Sequence, residues 1–464
     1  MKSYEIKSFR GGISDYEDKG IAGSFKFGKN LDIRKKVDSL SCQQALASEG
    51  SGVVDDLILF FVQPLFSKDV NLYGFSYTDI YKRTPLGAWS VVHTAAENID
   101  GAAEWHDNTG KTYLYWTTGT ELHRKELPGA SDWSDVDAGA DWPKTNLTTG
   151  WHTMKQANGA LMICNDQYLA MVGYDNSYTN QALDLVKGRD AISLVEYDGN
   201  VLVGTAKDNY EDSAELYLWE QTALSWIRKK EVSARGVNSI NVNNGMILVQ
   251  AGTAGQLFQT DLVNSLQITS FPGGGQTFPD ATLNSENLSL FGVYGNGTGN
   301  TGIYSYGRKN KNHPMVLNLD YQLDCTYIGS VAKVGSTLLF SYKSGSTYGV
   351  KKVDTSAKAT AVYESLDLKA PLKMPETPTV WQAVELFTAP MPSGAAVEVW
   401  FRVNKTGNFV QALMEGGVTQ FTTTNAQKAV FLVGAEGEVC EVQIKLIPSS
   451  NNGPEVYKAV VYFD

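Results

Sequence analysis

The chain has 464 residues, a formal net charge of -11 and a sequence pI of about 5.1, a length that exceeds one compact core and predicts two or more domains. Hydrophobic residues make up 42% and charged ones 19%, which excludes the disordered class, and the acidic balance excludes broad, sequence-independent nucleic-acid binding, which needs a basic footprint to neutralise phosphates. The 44 glycines and 23 tyrosines favour many short strands joined by tight turns, an all-β composition.

Residues 1 to 49 are rich in Gly, Lys and Asp, hold short extended patches and show no sustained helical period. They read as an extended arm that lies on, or reaches away from, a folded body. The opening MKSYEIKSFRGG lacks the apolar core of a signal peptide, and no run approaches the ~18 apolar residues of a membrane span. The expectation is a protein made in a cytoplasm, with no membrane anchor. The basic runs Arg34 to Lys36, Arg228 to Lys230 and Arg308 to Lys311 read as solvated turns or strand ends.

From residue 50 to 365 a loose unit of roughly 40 residues recurs. An apolar strand comes first, a tyrosine- or leucine-rich strand second, and a strand with bulky or basic residues closes the unit. The clearest copies run through Leu57 to His93, Ala102 to Leu127 and Ala191 to Val232, with fainter ones at Val237 to Phe271, Leu288 to Leu319 and Cys325 to Tyr363. Several carry an apolar run that ends in a turn and restarts: KQANGALMIC, EYDGNVLVG, NVNNGMILVQ and KVGSTLLFSY. Asp-Gly-Asn and Asn-Asn-Gly favour the positive φ of tight hairpins, as expected for the inner hairpin of a propeller blade. A blade cannot bury both faces alone, so several stack around an axis, and the spacing predicts about seven.

Around residues 366 to 380, Pro371, Pro375 and Pro378 interrupt the strand texture; proline fixes φ and cannot donate to a ladder, so the segment reads as a semi-rigid linker. Residues 381 to 464 then alternate sharply. Val397, Val399, Phe401 and Val403 share one face, as do Val442, Ile444 and Leu446, the signature of a separate C-terminal β-sandwich.

Chemistry-bearing motifs are scarce. Cys42, Cys164, Cys325 and Cys440 form no CxxC pair and read as small buried residues in a reducing compartment, without a zinc site. His93, His106, His123, His152 and His313 form no HExxH or HxH. There is no GxSxG nucleophile elbow and no phosphate-binding loop, and the carboxylates are scattered through turns rather than paired as in glycosidases. The loop carrying Asp208, Asn209, Glu211 and Asp212 lacks the alternation and glycine of an EF-hand. The tryptophans could include a sugar-stacking surface, but most fall at strand positions and are expected to fill space between blades. No enzyme, cofactor or metal site is expected.

The opening SFRGGISDYEDKGIAGSFKFGKNLDIRKK resembles the N-terminal segment of a class of tailed-bacteriophage virion proteins, in which F-x-G-G-I-S-D is followed by G-S-F and K-N-L-D-I-R ahead of a propeller. The matching residues are Phe9, Gly11, Gly12, Ile13, Ser14 and Asp15, then Gly23, Ser24 and Phe25, then Lys29, Asn30, Leu31, Asp32, Ile33 and Arg34. Val397, Val399, Trp400, Phe401, Arg402 and Pro454 to Val456 resemble the terminal sandwich of phage propeller proteins. The resemblance implies an all-β virion protein: an extended arm, a propeller of about seven blades and a C-terminal sandwich. It further implies a tail, neck or nozzle subunit located in the virion, homo-oligomeric, whose partners are other virion proteins and whose glycine-bearing arm adds strands to a neighbour. The alternative is a module that recognises a host-surface glycan or protein, with glycan hydrolysis a more distant third.

Overall fold

A computed structural model describes residues 2–14, 21–34, 38–49, 60–62, 71–127, 133, 141–207, 213–223, 225–369 and 379–464. The chain divides into two compact units, a larger one of Ser48–Thr301 with Asp324–Lys352, and a smaller one of Met1–Ala47, Gly302–Leu323 and Val353–Asp464. Both are all-β; among the described residues the one helical element is a 3-10 turn at Glu415–Gly417.

The larger unit is a series of small antiparallel sheets, each built mainly from strands consecutive in sequence. Phe60–Val62, Leu72–Phe75, Asp79–Arg83 and Trp89–Thr94 form the first, and Ile99–His106, Thr112–Thr118 and Glu121–Leu127 the second. Next come Met154–Ala157, Ala160–Asn165, Tyr168–Val172 and Tyr178–Asp184, then Arg189–Tyr197, Asn200–Lys207, Ala214–Trp219 and Arg228–Val232. Val237–Asn243, Met246–Ala251, Gln256–Thr260 and Ser265–Ser270 follow; a hairpin of Gln276–Ser285 and Leu288–Tyr294 and a sheet opening with Tyr327–Val334 and Thr337–Ser344 complete the unit.

These sheets are arranged in a closed, propeller-like ring. The first strand of each packs beside the first strand of the next, and Tyr327–Val334 returns to Phe60–Val62, where Phe61 N–H donates to Ser330 Oγ at 2.9 Å. Among the described residues the apolar core is divided into several clusters. Apolar layers lie between successive sheets, such as Leu202, Leu216, Val237, Ile247 and Val249, and the layer that closes the ring holds Phe61, Leu72, Trp89, Leu339 and Val350. Three inner strands, Thr112–Thr118, Ala160–Asn165 and Ala214–Trp219, are buried throughout, and their sequences read as largely apolar runs rather than alternating ones. The expected turns are present: Asn158, Asp198 and Asn244 take φ of 45°, 51° and 52°, conformations that asparagine and aspartate tolerate in tight hairpins.

The smaller unit contains two mixed-origin sheets. One has the order Lys2–Ile6, Glu455–Phe463, Val380–Thr388, Lys428–Glu436. The other runs Gly302–Gly307, Val316–Gln322, Phe27–Lys29, Ala361–Glu364, Val439–Ile447, Ala396–Val403, Val410–Gln411. Val397, Val399, Val442, Ile444 and Leu446 are fully buried and Phe401 nearly so, as the alternation required, whereas Val403 is half-buried.

Two boundaries differ from those drawn on the sequence. The described part of the first 49 residues is no separate arm: Lys2–Ile6 pairs along its length with Ala459 to Phe463, and Phe27–Lys29 lies between Val316–Gln322 and Ala361–Glu364. Extended backbone must satisfy its N–H and C=O groups, and here it does so within its own unit. The C-terminal domain, expected from 381, also takes in Val353 onward and the inserted Gly302–Leu323. Leu368–Lys369 of the expected linker pairs with Val439 and Cys440; residues 370–378 lie outside the described residues.

Candidate functional site

The predicted segment is a buried organiser of the smaller unit. Gly12–Ile13 and Ser24–Phe25 pair in parallel, Ile13 also pairs with Leu317, and Ser14 N–H donates to Phe25 O at 3.0 Å. Phe9 and Phe25, both essentially unexposed, pack on Tyr363 with ring centroids 5.4 Å away in each case. A Cβ on Gly11 would sit 2.1 Å from Ser24 N, so glycine stands there because two backbones meet, not because an arm must bend onto a neighbour. Lys29 pairs with Leu319 and Val362. Asn30 takes φ of 55°; its Oδ1 accepts from Gln322 N–H at 2.7 Å, and its Nδ2 donates to Thr360 O at 3.0 Å. Leu31 and Ile33 are buried, and Asp32 N–H donates to Ser41 O at 2.9 Å. Asp15 lies outside the described residues.

Arg34 completes the segment. Its guanidinium donates to Ser305 Oγ at 2.7 Å, Ser305 O at 3.4 Å and Val316 O at 3.1 Å, and pairs with Asp320 at 3.3 Å. Burial holds the Asp320 carboxyl above the usual carboxylate range despite Arg34. A second buried network lies nearby in the same unit: Glu441 accepts from Lys26 Nζ at 2.5 Å and from Arg402 Nε at 2.5 Å. Burial pulls Glu441 upward, but those two cations more than offset it and its pKa ends below the ordinary value. These groups set register, and beside them Ser8, Gly23, Ser24 and Tyr363 line a cavity of about 420 Å³.

The larger unit also offers concave surface. A cavity of about 610 Å³ is lined by the first strands around the ring, among them Glu104, Gln156, Asn241 and an ion pair between Lys155 and Asp280. Gln156 and Glu196 also line an adjoining cleft of about 440 Å³, whose wall is aromatic: Trp105, His106 and Tyr174. The Trp105 and His106 ring centroids are 4.5 Å apart, and His106 meets Tyr174 edge-on at 5.4 Å. Trp105 is buried, His106 half-buried, and Tyr174 49% exposed.

The loop bearing Tyr174 is fixed from the neighbouring sheet. Asp107, 2% exposed, accepts from Thr109 N–H and Lys111 N–H on Oδ1 at 2.9 and 3.1 Å, and from Asn176 Nδ2 on Oδ2 at 2.9 Å. Burial alone raises its pKa; the hydrogen bonds outweigh that and bring it to about 2. Asn108 N–H donates to Tyr174 O at 2.7 Å, and Arg124 Nη1 to Asn176 Oδ1 at 3.0 Å.

Sequence reasoning named Trp105 and His106 only as members of larger sets and never joined them to Tyr174, which lies in a hairpin of the next sheet. The other histidines serve packing or turns: His152 sets both ring nitrogens on backbone carbonyls, of Cys164 at 2.7 Å and Thr148 at 2.9 Å, and His123 stacks on Trp116 at 5.6 Å. Cys42, Cys164 and Cys440 are buried and Cys325 half-buried, all as free thiols; burial pushes Cys42 and Cys440 up to about 12. Among the described residues no cluster of ligating side chains could hold a metal ion. The loop carrying Asp208, Asn209, Glu211 and Asp212 lies outside those residues.

No family model and no curated protein matches the chain. Similar solved structures include the extracellular domain of the putative one component system BT4673 from B. thetaiotaomicron, at 13% identity and TM-score 0.46 over 82% of this chain and 46% of that one. The chain thus spans under half of that domain's length. BBS1N in complex with ARL6DN is similar at 9% identity and TM-score 0.45, over 67% of this chain and 98% of that one. Virginiamycin B lyase from Staphylococcus aureus is similar at 10% identity and TM-score 0.46, with the same coverages. At TM-scores below 0.5 these likenesses carry no functional reading.

Proposed function

We propose that this chain is a non-catalytic structural subunit of a tailed-bacteriophage particle, a seven-bladed propeller joined to a β-sandwich, present in several copies beside other virion proteins. The packing of one first strand beside the next, from Phe60–Val62 round to Tyr327–Val334, supports the blade count, and the buried faces of the two sheets of the smaller unit support the sandwich. The virion reading rests on the resemblance of residues 9 to 34. In this reading the segment builds the subunit rather than reaching out of it, so the contact surface lies elsewhere.

The observation that carries an assembly role is an apolar strip on the smaller unit. Val430 and Leu432 alternate with buried Ala429 and Phe431 on the sheet-edge strand Lys428–Glu436 and are 39% and 55% exposed. Leu432 pairs with Leu413, and Leu413 and Val418 are 41% and 50% exposed. Clustered apolar residues on an edge strand are a liability unless a partner covers them. The test is to exchange Val430 and Leu432 for lysine, which leaves their backbone pairing intact, and to ask whether the chain still enters particles. Loss of incorporation with an unchanged melting temperature is expected. Absence of the wild-type chain from purified particles would end the virion reading, and normal incorporation of the variant would end the role of the strip.

A further inference from the structure

The aromatic cleft at the ends of the first strands has no part in the assembly role, and we propose that it binds a neutral saccharide through the apolar face of a pyranose ring. Its volume, about 440 Å³, falls within the usual range for small-ligand sites. Tyr174 presents half its surface, with His106 edge-on beside it and Trp105 buried behind as a fixed backing. A pyranose ring offers one face of C–H groups and a rim of hydroxyls. The face suits an aromatic wall; the hydroxyls need acceptors and donors set at its edge.

Glu196 and Gln156 supply that edge. Asn158 N–H holds Glu196 Oε2 at 3.2 Å, and Oε1 has no partner among the described residues, so the carboxylate is oriented and still able to accept from a sugar hydroxyl, the stronger kind of hydrogen bond. Gln156 donates to Glu104 O at 2.7 Å, which fixes its amide. The Asp107 hydrogen bonds tie the Tyr174 loop to the adjacent turn before any ligand arrives, and such preorganisation lowers the entropy cost of binding.

Charge selects the class. The lining carboxylate and the net charge of -11 oppose uronic, sialic and sulfated sugars, and the cation nearest along the strand from Gln156, Lys155, is taken by Asp280. A neutral hexose is the chemistry left. Because the cleft lies wholly within the larger unit, this inference stands or falls independently of the virion reading.

The experiment uses the full chain and saturation-transfer NMR against gluco-, manno- and galacto-configured neutral trisaccharides, with a uronic-acid trisaccharide as counter-set. Binding of at least one neutral sugar is expected, weakened about tenfold by Tyr174→Ala and several-fold by Glu196→Gln, with melting temperatures unchanged because both side chains are exposed. No binding to any neutral sugar at about 10 mM, a level that reports even the weakest specific sites, would overturn the proposal. So would preference for the acidic counter-set, or neutral-sugar binding indifferent to both substitutions.

Discussion

In the larger unit each strand hydrogen-bonds to the strand before or after it in the chain, as Arg189–Tyr197 does with Asn200–Lys207. In the smaller unit Phe27–Lys29 sits between strands that begin at Val316 and Ala361. Local hairpins close short loops and fix register through turn residues such as Asp198, at little entropic cost. A sheet assembled from three distant pieces has no turn to fix its register. It relies on side chains that reach across: Arg34 onto Ser305, Val316 and Asp320, and Lys26 with Arg402 onto Glu441. Buried ionic groups here specify which segments meet, a role they fill elsewhere at some expense in stability.

The sharpest way to break this contrast is Arg34→Ala. It leaves buried Asp320 with the Asn318 amide but no cation and removes donors from three other acceptors, and about 3 kcal/mol of stability should be lost. Hydrogen exchange should accelerate in Val316–Gln322 and Phe27–Lys29 while Ala214–Trp219 keeps its protection. Arg34→Lys should recover only part, since an ammonium cannot reproduce the fork. Uniform loss of protection across both units would show that the distant pieces are not held by this contact. The matching change in the larger unit is Leu216→Ala, which opens a cavity in the layer shared by two sheets and should cost about 3 kcal/mol. Exchange should there rise in the sheets flanking that layer first, as expected for a structure whose units touch mainly their neighbours.

A milder probe is Gly11→Ala. The added methyl meets the backbone of Ser24, and about 1–3 kcal/mol should be lost as the Gly12–Ile13 pairing shifts, read from the urea midpoint. A neutral result would return residues 9 to 25 to the status of a loosely held arm.

The same contrast explains which features are legible in the sequence. The EYDGNVLVG and NVNNGMILVQ hairpins were legible because the turn residue, the buried run and the partner strand are adjacent in sequence. The alternation at Val442, Ile444 and Leu446 was legible for the same reason. Asn30 and Arg34 stood out as part of a motif, yet their role did not, because the groups that give them meaning, Ser305, Asp320, Gln322 and Thr360, come hundreds of residues later. Tyr174 carries no signal of its own. Only the packing of one sheet against the next brings it to Trp105 and His106.

The smallest expected effect ties the two kinds of contact together inside the larger unit, where Asp107 links one sheet to the loop of the next as Arg34 links distant strands. Its pKa is about 2 in the folded protein and about 3.9 in an unfolded chain. The unfolded state therefore takes up the proton first as pH falls, so the carboxylate's stabilisation is complete above about pH 4 and is lost as pH falls through 2. Asp107→Asn should lower stability by about 1 kcal/mol at pH 6, the scale of a hydrogen bond weakened rather than removed, and the two proteins' urea midpoints should converge by about pH 2. Because the same bonds hold the Tyr174 loop, saccharide affinity should fall with them at pH 6. A gap that persists at pH 2 would mean that shape, rather than charge, is what Asp107 contributes.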